Sequence, residues 1–234
     1  MSVSKTKAGS AKATTPAARI LVIDVGGTNV KIAMGTSKEL LKIPSGSEMT
    51  AAQMARAVKE AAASWGYEAV AIGYPGPVKD GRPAKEPANL GGGWVRFDYA
   101  RALGKPVRII NDAALQALGA YEGGRMLFLG LGTGLGSALI VDGAVAPMEL
   151  AHLPYRKGAT YEDYVGQRGL DRLGKKKWTA HVGKVVAMLQ HGLQADQVVL
   201  GGGQTKRLKQ IPAGARVGTN LDAIRGGVRL WSEG

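Results

Sequence analysis

Two glycine-rich turns, far apart in the chain, contain residue types that can hold phosphate groups. The first lies in IDVGGTNVKIAM, residues 23–34, and the second in FLGLGTGLGSALI, residues 128–140. Each turn follows an apolar run and leads into a second strand-like run, and Gly26 aligns with Gly132 at an offset of 106 residues. Glycine allows the backbone to bend and its amide groups to approach phosphate oxygens closely. Two such turns that face each other across a cleft indicate phosphoryl transfer.

Other phosphate-binding motifs do not fit the chain. No GxxxxGK[ST] sequence is present, which excludes a P-loop. The glycines of residues 130–136 fall at every second position, and the SALIVDG segment that follows them is strand-like, which argues against a dinucleotide fold. An ordinary tight hairpin is the alternative for each turn. Their recurrence in register, together with the LGGG of residues 200–203, favours phosphate binding.

Asp112 is the candidate general base. It follows the apolar run VRIIN, so its carboxylate is expected at the tip of a buried strand, facing a cleft. Phosphoryl transfer to an alcohol needs a carboxylate within hydrogen-bonding reach of the attacking hydroxyl, to accept its proton. The alternative role is an N-cap for a helix that starts at Ala113, and the two roles are compatible.

Strands and helices alternate along the chain, and they must position these residues. Strand, turn and strand are predicted at 19–34 and 126–146, and single buried strands at 69–74, 107–112 and 197–203. Helices are predicted at 50–64, after Asp112, around 178–193 and at 220–231. This alternation, with an internal duplication, predicts an α/β fold of two lobes.

The domain organisation follows from the same pattern. We expect a disordered basic tail at 1–18, an N-terminal α/β domain at 19–118, a C-terminal α/β domain at 119–218, and a helix in 219–234 that packs back on the N-terminal domain.

The composition excludes several classes of protein. No apolar run approaches the roughly 18 residues of a membrane span, and the first residues lack the apolar stretch of a secretory signal. The chain has no cysteine, so it can form no disulfide, no thiolate zinc site and no cysteine nucleophile. We therefore expect a cytoplasmic protein with no membrane partner.

The net charge of +13 is concentrated at the two ends of the chain. Residues 1–19 carry four basic residues and no acid, and residues 152–234 hold 14 Lys and Arg against 6 Asp and Glu. This distribution is typical of a surface that binds a polyanion, although a solvated basic surface is the alternative.

Five segments occur in the order found in the ROK family of sugar kinases, and the chain resembles that family from Ile20 to Trp231. The segments are DVGGTNVK, IINDAA, GLGTGLGSAL, ELAH and VVLGGG. The resemblance implies a two-lobed actin-like (ribonuclease H-like) fold with duplicated α/β domains, a central cleft and sugar phosphorylation. The short chain and the HLPYRKGATYEDYVG segment are most similar to the subgroup of polyphosphate glucokinases.

The resemblance also implies roles for individual residues. Asp112 takes the proton of the 6-hydroxyl of glucose or a close hexose, and Asp24 serves Mg²⁺ and the donor phosphate through bound water. The residues implied in sugar binding are Asn89, Asn111, Asp112, Glu149, His152 and Glu162. The residues implied in donor binding are Asp24, Gly26, Gly27, Thr28, Lys31, Gly132, Thr133, Gly134, Gly201, Gly202 and Gly203. Lys31 has a solvated strand position as its alternative.

The chain departs from the family pattern at two places. Most members carry a CxCGxxGCxE zinc element after the histidine, and this chain has PYRKGATYE there, so we expect no zinc and a segment held by packing. Ala151 replaces a usual glycine, and its methyl group could crowd the sugar pocket beside His152.

The phosphoryl donor distinguishes the remaining functions. Inorganic polyphosphate needs a track of positive charge, which Lys175–Lys177 and Lys206, Arg207 and Lys209 can supply. ATP needs an adenine pocket, which Gly201–Gly203 can supply by resemblance. We expect polyphosphate, ATP or both as donor. A strictly ATP-dependent hexokinase and a catalytically silent sugar sensor are the alternatives; a nucleic-acid partner is not expected, and the resemblance implies a homodimer.

Overall fold

The structure is a computed structural model that describes residues 16–232. A 3₁₀ turn at Ala17–Arg19 opens the described chain. The first half then contains β1 (Ile20–Val25), β2 (Asn29–Met34), β3 (Leu41–Pro44), α1 (Ala51–Ala61), β4 (Ala69–Tyr74), β5 (Val78–Lys79), β6 (Arg82–Pro83), α2 (Tyr99–Leu103), β7 (Val107–Asn111) and α3 (Asp112–Ala120). The tail predicted at 1–18 lies, up to residue 15, outside the described residues.

The second half repeats this arrangement. Its elements are β8 (Arg125–Leu131), β9 (Leu135–Val141), β10 (Ala144–Met148), β11 (Pro154–Arg156), β12 (Ala159–Thr160), α4 (Tyr161–Val165), α5 (Gln167–Gly192), β13 (Gln197–Gly201), β14 (Ala215–Val217) and α6 (Asp222–Ser232). The N-terminal sheet has the strand order β3-β2-β1-β4-β7, and the C-terminal sheet has the order β10-β9-β8-β13-β14. In both sheets an antiparallel meander of three strands is continued by two parallel strands. The predicted duplication and α/β fold class are confirmed.

The two hairpins correspond in sequence but differ in strand pairing. Val25 pairs with Val30 at the end of the first hairpin, whereas Leu131 pairs with Leu135 at the end of the second. The first connection therefore encloses four residues and the second three. The two turns align in sequence at the offset of 106 residues, but the second closes one residue earlier: the Gly26 amide donates to the Asn29 carbonyl at 3.1 Å, whereas the Gly132 amide donates to the Gly134 carbonyl at 3.1 Å.

Helices α3 and α6 lie between the two sheets. Leu115 of α3 and Ile224 of α6 pack on the N-terminal sheet, and Ala114 and Leu118 of α3 pack on the C-terminal sheet. The outer faces of the sheets are covered by α1 and α2 on one side and by α4 and α5 on the other. The predicted boundary at residue 118 falls inside α3, which contacts both sheets, and the division into domains stays a prediction.

Glycines allow α3 and α6 to cross at very short distance. A Cβ at Gly226 would lie 1.8 Å from the Leu115 carbonyl oxygen, and a Cβ at Gly119 would lie 1.7 Å from that of Asp222. A Cβ at Gly227 would meet the side chain of Val22 at 2.5 Å. Gly226 and Gly227 weaken the helical pattern of 220–231 in the sequence. The helix forms nevertheless, because these glycines lie where α6 packs most closely against Leu115 and Val22.

Helix α5 also differs from its predicted bounds. Helix α5 begins at Gln167 rather than near 178, with a break at Gly174, where φ is 72°. Its N-terminal part was missed because glycines and charged residues obscure the apolar pattern there.

Within residues 16–232, no helix combines the length and the apolar character that crossing a membrane requires.

Gly226→Ala tests the helix crossing. We expect a loss of at least about 2 kcal/mol in the free energy of unfolding, because the added methyl group overlaps backbone that must move away. The control is Gly183→Ala in α5, where a Cβ meets nothing within 4 Å; it should be neutral or stabilise by up to about 1 kcal/mol. Denaturant unfolding measures both, and similar values for the two variants would contradict the close crossing.

Candidate active site

The first glycine turn is held in place by Ser45, which follows β3. The Ser45 amide donates to the Thr28 carbonyl at 3.0 Å, and the Ser45 Oγ donates to the Gly26 carbonyl at 2.6 Å. Asn89 lies beside the turn, since a Cβ at Gly27 would be 3.3 Å from the Asn89 Cβ. The structure therefore places Asn89, which the resemblance implies in sugar binding, next to the first turn. Ser45 was not recognised in the sequence because an isolated serine has no pattern.

The second glycine turn is held by the segment that leads into α5. The Gly132 amide donates to the Gly134 carbonyl at 3.1 Å, and the Gln167 amide donates to the Thr133 carbonyl at 3.1 Å. Glu162 lies directly against this turn: its Oε2 accepts a hydrogen bond from the Leu135 amide at 3.2 Å, and a Cβ at Gly134 would be 2.2 Å from that oxygen. A side chain at residue 134 would displace the Glu162 carboxylate from the turn.

Both turns present backbone amides that are available to a ligand. Among residues 16–232, no hydrogen bond is donated by the amides of Gly27, Thr28, Thr133 and Gly134. Backbone amides in this arrangement bind anions such as phosphate.

The third glycine cluster adjoins the second turn. Gly202 has a φ of 84°, and a Cβ there would lie 2.3 Å from the Leu131 carbonyl oxygen. A Cβ at Gly201 would lie 2.3 Å from the Phe128 ring, whereas Gly203 faces open space. Gly201 and Gly202 are therefore explained by close packing on β8, and Gly203 is the residue of the three whose surroundings leave room for a ligand.

Asp112 is the first residue of α3, at the carboxyl end of β7. The alternative role as N-cap is wrong: Asn111 is the N-cap, and its Oδ1 accepts from the Ala114 amide at 3.1 Å. Asp112 instead accepts from the Ala113 amide at 2.8 Å through its own Oδ1. Its backbone lies over β4, where a Cβ at Gly73 would come within 3.4 Å of the Asp112 Cα.

The surroundings of Asp112 raise its pKa from the ordinary value of 3.8 to about 7. Burial of the carboxyl group is the largest cause, although the residue as a whole keeps some exposure, and the negative charge of Asp24 is the second. The Glu149 carboxylate also raises the pKa, and the hydrogen bond from the Ala113 amide opposes these effects. Asp24, Asp112 and Glu149 are therefore close enough to interact electrostatically, and Asp112 can exchange a proton near neutral pH.

Asp24 lies on β1, with Gly73 of β4 as its neighbour in the sheet. Its side chain is 8% exposed, and its Oδ2 pairs with the Lys31 Nζ at 2.9 Å. Lys31 is thus not simply a solvated strand residue, since its ammonium group lies at the predicted metal ligand.

Asp24 fits the way in which proteins commonly hold Mg²⁺. Among residues 16–232, no group of three or more His, Asp or Glu side chains is arranged to hold a metal ion. Mg²⁺ keeps several waters and is usually bound by one or two carboxylates together with substrate phosphates. The single buried carboxylate of Asp24, at the end of β1 and next to the first glycine turn, meets that requirement.

Asn111 is used mainly to support the backbone. Besides capping α3, it donates from Nδ2 to the Gly76 carbonyl at 3.2 Å and so connects the Pro-Gly-Pro loop to the start of the helix. Glu149 and His152 have a different character: their side chains are 61% and 73% exposed, and Glu149 Oε2 lies 3.8 Å from His152 Nε2.

The segment that replaces the zinc element is held by aromatic packing. Tyr155 stacks against Tyr161 and Tyr164, and its hydroxyl lies 3.0 Å from the His181 Nδ1 of α5. Burial lowers the pKa of His181, and the charge of Arg156 lowers it further. Packing holds the segment, as predicted. Ala151 is 3% exposed within this core, so its methyl group is a packing atom.

The two basic clusters lie next to each other and next to the second turn. The Lys209 amide donates to the Thr179 Oγ1 at 3.3 Å, and that hydroxyl donates to the Lys175 carbonyl at 2.8 Å. Gln204, in the 3₁₀ turn that carries Lys206 and Arg207, bonds to Gln167, whose amide binds the second turn. The lysine and arginine side chains of both clusters are exposed.

One cavity of the described residues lies away from the predicted site. This cavity of about 430 Å³ is lined by residues such as Arg82, Phe97 and Ile109, and it contains none of the predicted site residues. The candidate site comprises the two turns and Asp112.

Comparison with known proteins agrees with this architecture. The chain is 25% identical over 206 residues to the polyphosphate glucokinase of Mycobacterium tuberculosis, a match that covers 79% of the chain and 77% of the relative. The inorganic polyphosphate/ATP-glucomannokinase of Arthrobacter sp. strain KM has a similar structure, with a TM-score of 0.76 at 24% identity over 92% of this chain and 98% of that one. A ROK family glucokinase from Streptomyces griseus, solved with glucose and AMPPNP, gives a TM-score of 0.75 at 18% identity over 92% of this chain and all of that one.

The family model of the ROK family matches residues 20–147, which is more than half of the chain. The five motifs, the duplicated sheets and the sugar-kinase relatives agree with this match. The chain therefore belongs to the ROK family and has the actin-like fold of that family's sugar kinases.

Proposed function

We propose that this protein transfers a phosphoryl group from inorganic polyphosphate, and also from ATP, to the 6-hydroxyl of glucose or of a close hexose such as mannose. The observation that carries the proposal is the position of Asp112 beside Asp24 and Glu149, with a pKa of about 7. The names of the relatives, polyphosphate glucokinase and polyphosphate/ATP-glucomannokinase, support the choice of substrates.

Asp112 acts as the general base in this proposal. The sugar O6 attacks the terminal phosphorus of the donor, and the bond between that phosphorus and its bridging oxygen breaks. The 6-hydroxyl proton passes to the Asp112 carboxylate, and the shortened polyphosphate or ADP leaves with the bridging oxygen. A base whose pKa lies near the working pH is the most effective, because it is largely ionised and still basic enough to accept the proton.

The two glycine turns bind the donor. The amides of Gly27, Thr28, Thr133 and Gly134 contact its phosphate oxygens, and Asp24 holds Mg²⁺ through water. When bound, Mg²⁺ neutralises charge on the transferring group. Lys31, which pairs with Asp24 at 2.9 Å, adds a positive charge at the same place.

The sugar is bound beside Asp112. Glu149 and His152 present exposed carboxylate and imidazole groups that pair with hydroxyls, and Asn89 borders the site next to the first turn. Asn111 and Glu162 contribute mainly by positioning, since Asn111 caps α3 and Glu162 accepts the Leu135 amide. Paired donors and acceptors of fixed geometry are what sugar hydroxyls require.

The charge distribution favours polyphosphate as donor. The basic clusters at Lys175–Lys177 and at Lys206, Arg207 and Lys209 adjoin each other, and they connect to the second turn through Gln204 and Gln167. A chain of phosphates that extends from the turn would run along positive charge. A strictly ATP-dependent hexokinase is the second candidate, and the open surroundings of Gly203 favour it.

Formation of hexose 6-phosphate tests the proposed function. Purified protein with glucose and Mg²⁺ should form glucose 6-phosphate when long-chain polyphosphate, free of nucleotide, is added, and in a parallel assay with ATP. Asp112→Asn should reduce kcat by at least about a hundredfold, since general-base catalysis contributes factors of that order. Near-native activity of this variant would refute the mechanism, and binding of glucose without turnover by the wild type would identify a sensor.

The pH dependence tests the role assigned to the Asp112 carboxylate. Because the base must be ionised, kcat/KM should rise with pH and reach half of its plateau near pH 7. Asp24→Asn removes the neighbouring negative charge, so the residual activity of that variant should show a midpoint at lower pH. A wild-type midpoint near pH 4, the ordinary range of an aspartate, would contradict the raised pKa of Asp112.

Neutralising one basic cluster tests the donor track. Replacement of Lys175, Lys176 and Lys177 by alanine should raise KM for long-chain polyphosphate about tenfold, since each exposed charge contributes a few tenths of a kcal/mol. KM for ATP should change less than about twofold. The control replaces Lys42, Lys59 and Lys79, which are exposed on the N-terminal half. An equal effect of both triple variants would show that net charge, and not a track, binds polyphosphate.

A further inference from the structure

Ser137 is a buried serine that brackets Glu149. It lies on β9, three residues after Gly134, and is 1% exposed. Its Oγ donates to the Met148 carbonyl at 2.8 Å and accepts from the Leu150 amide at 3.2 Å. One hydroxyl group therefore bonds to the residue before Glu149 and to the residue after it.

Ser137 supports Glu149 where the Glu149 side chain does not cap the turn that follows it. Glu149 stands at the point where β10 ends and a 3₁₀ turn, Leu150–His152, begins, and its side chain makes no capping hydrogen bond. The pair of Ser137 with Met148 is the last one between β9 and β10. Beyond this pair the chain leaves the sheet. The Ser137 hydroxyl still holds the backbone as far as the Leu150 amide, two residues after Met148.

Strand β9 connects Ser137 and its two hydrogen bonds to the second glycine turn. Strand β9 begins at Leu135, whose amide donates to Glu162, and it reaches Ser137 two residues later. Side chains at alternate residues of a strand point to the same face. Ser137 thus lies on a strand that starts at the phosphate-binding turn. Its hydrogen bonds to Met148 and Leu150 therefore connect the backbone around Glu149 to that turn.

We propose that Ser137 is a positioning residue for sugar binding, which holds Glu149 at a set distance from the second turn and from Asp112. The inference rests on the proposed function, because it concerns the sugar side of the same site. Removal of the hydroxyl leaves the buried Leu150 amide and Met148 carbonyl without their partner, and the segment that carries Glu149 and His152 then moves to regain hydrogen bonds.

Ser45 offers a matched control in the other half of the chain. Its hydroxyl also donates to one backbone carbonyl, that of Gly26, at 2.6 Å, but this carbonyl belongs to the first glycine turn and not to the sugar-binding segment. Loss of the Ser45 hydroxyl should therefore act on the donor, whereas loss of the Ser137 hydroxyl should act on the sugar. Both changes remove one hydroxyl group and nothing else.

The experiment compares Ser137→Ala and Ser45→Ala under steady-state conditions with each substrate varied. Ser137→Ala should raise KM for glucose about tenfold, with KM for the donor within about twofold of wild type. Ser45→Ala should show the reverse pattern. The dissociation constant for glucose, measured calorimetrically without donor, should rise for Ser137→Ala by the same factor as KM. Ser137→Thr, which restores a hydroxyl, should recover most of the loss.

The opposite outcomes are equally distinct. If Ser137→Ala lowers the thermal midpoint or kcat but leaves KM and the dissociation constant for glucose unchanged, Ser137 has only a structural role and the inference is wrong. If Ser137→Ala is not recovered folded, Ser137→Cys keeps the side-chain volume with weaker hydrogen bonds and should raise KM for glucose as well; an unchanged KM there also overturns the inference. A wild-type protein without hexokinase activity would refute the proposed function itself.

Discussion

The close crossing of α3 and α6 is the constraint on which the site depends. Helix α3 carries Asp112 at its first residue, and its sides pack on both sheets. Gly119 and Gly226 allow the two helices to approach until a single Cβ would overlap backbone oxygen. The position of Asp112 relative to the turns of β1–β2 and β8–β9 is therefore set by backbone contact, which adjusts less readily than contact between long side chains.

The same placement gives Asp112 its chemistry, at a cost to stability. Its pKa is raised from 3.8 to about 7, so between these values the folded state holds a proton that the unfolded state has released. The contribution of this group to stability is present below pH 4 and is lost as the pH rises through 7. The base role that we propose for Asp112 requires an ionised carboxylate, and the pH range in which it is ionised is the one in which its burial beside Asp24 is least favourable. Such conflict between local stability and function is typical of active sites.

Much of this organisation could be predicted from the sequence, and what was missed has physical reasons. The duplication was visible because glycines at the offset of 106 residues follow apolar runs in both halves, and the strand predicted at 107–112 ends one residue earlier, at Asn111, because Asp112 begins α3. The N-cap role of Asn111 was missed because Asn and Asp are equally good caps. Ser45 and Ser137 could not be recognised, since a serine acquires a role only from the distant backbone that folding brings to it.

The two halves contain corresponding glycine turns, but different elements hold each turn in place. The first turn is fixed within its own sheet by Ser45, next to β3. The second is fixed by Glu162 and Gln167, which belong to α4 and α5, and α5 continues into Lys175–Lys177. Helix α5 therefore connects the basic residues Lys175–Lys177 to the second turn, through the bond from the Gln167 amide to the Thr133 carbonyl. The duplicated fold therefore joins one glycine turn to its own sheet through Ser45, and the other, through α4 and α5, to the basic surface, an arrangement that supports the polyphosphate donor we propose.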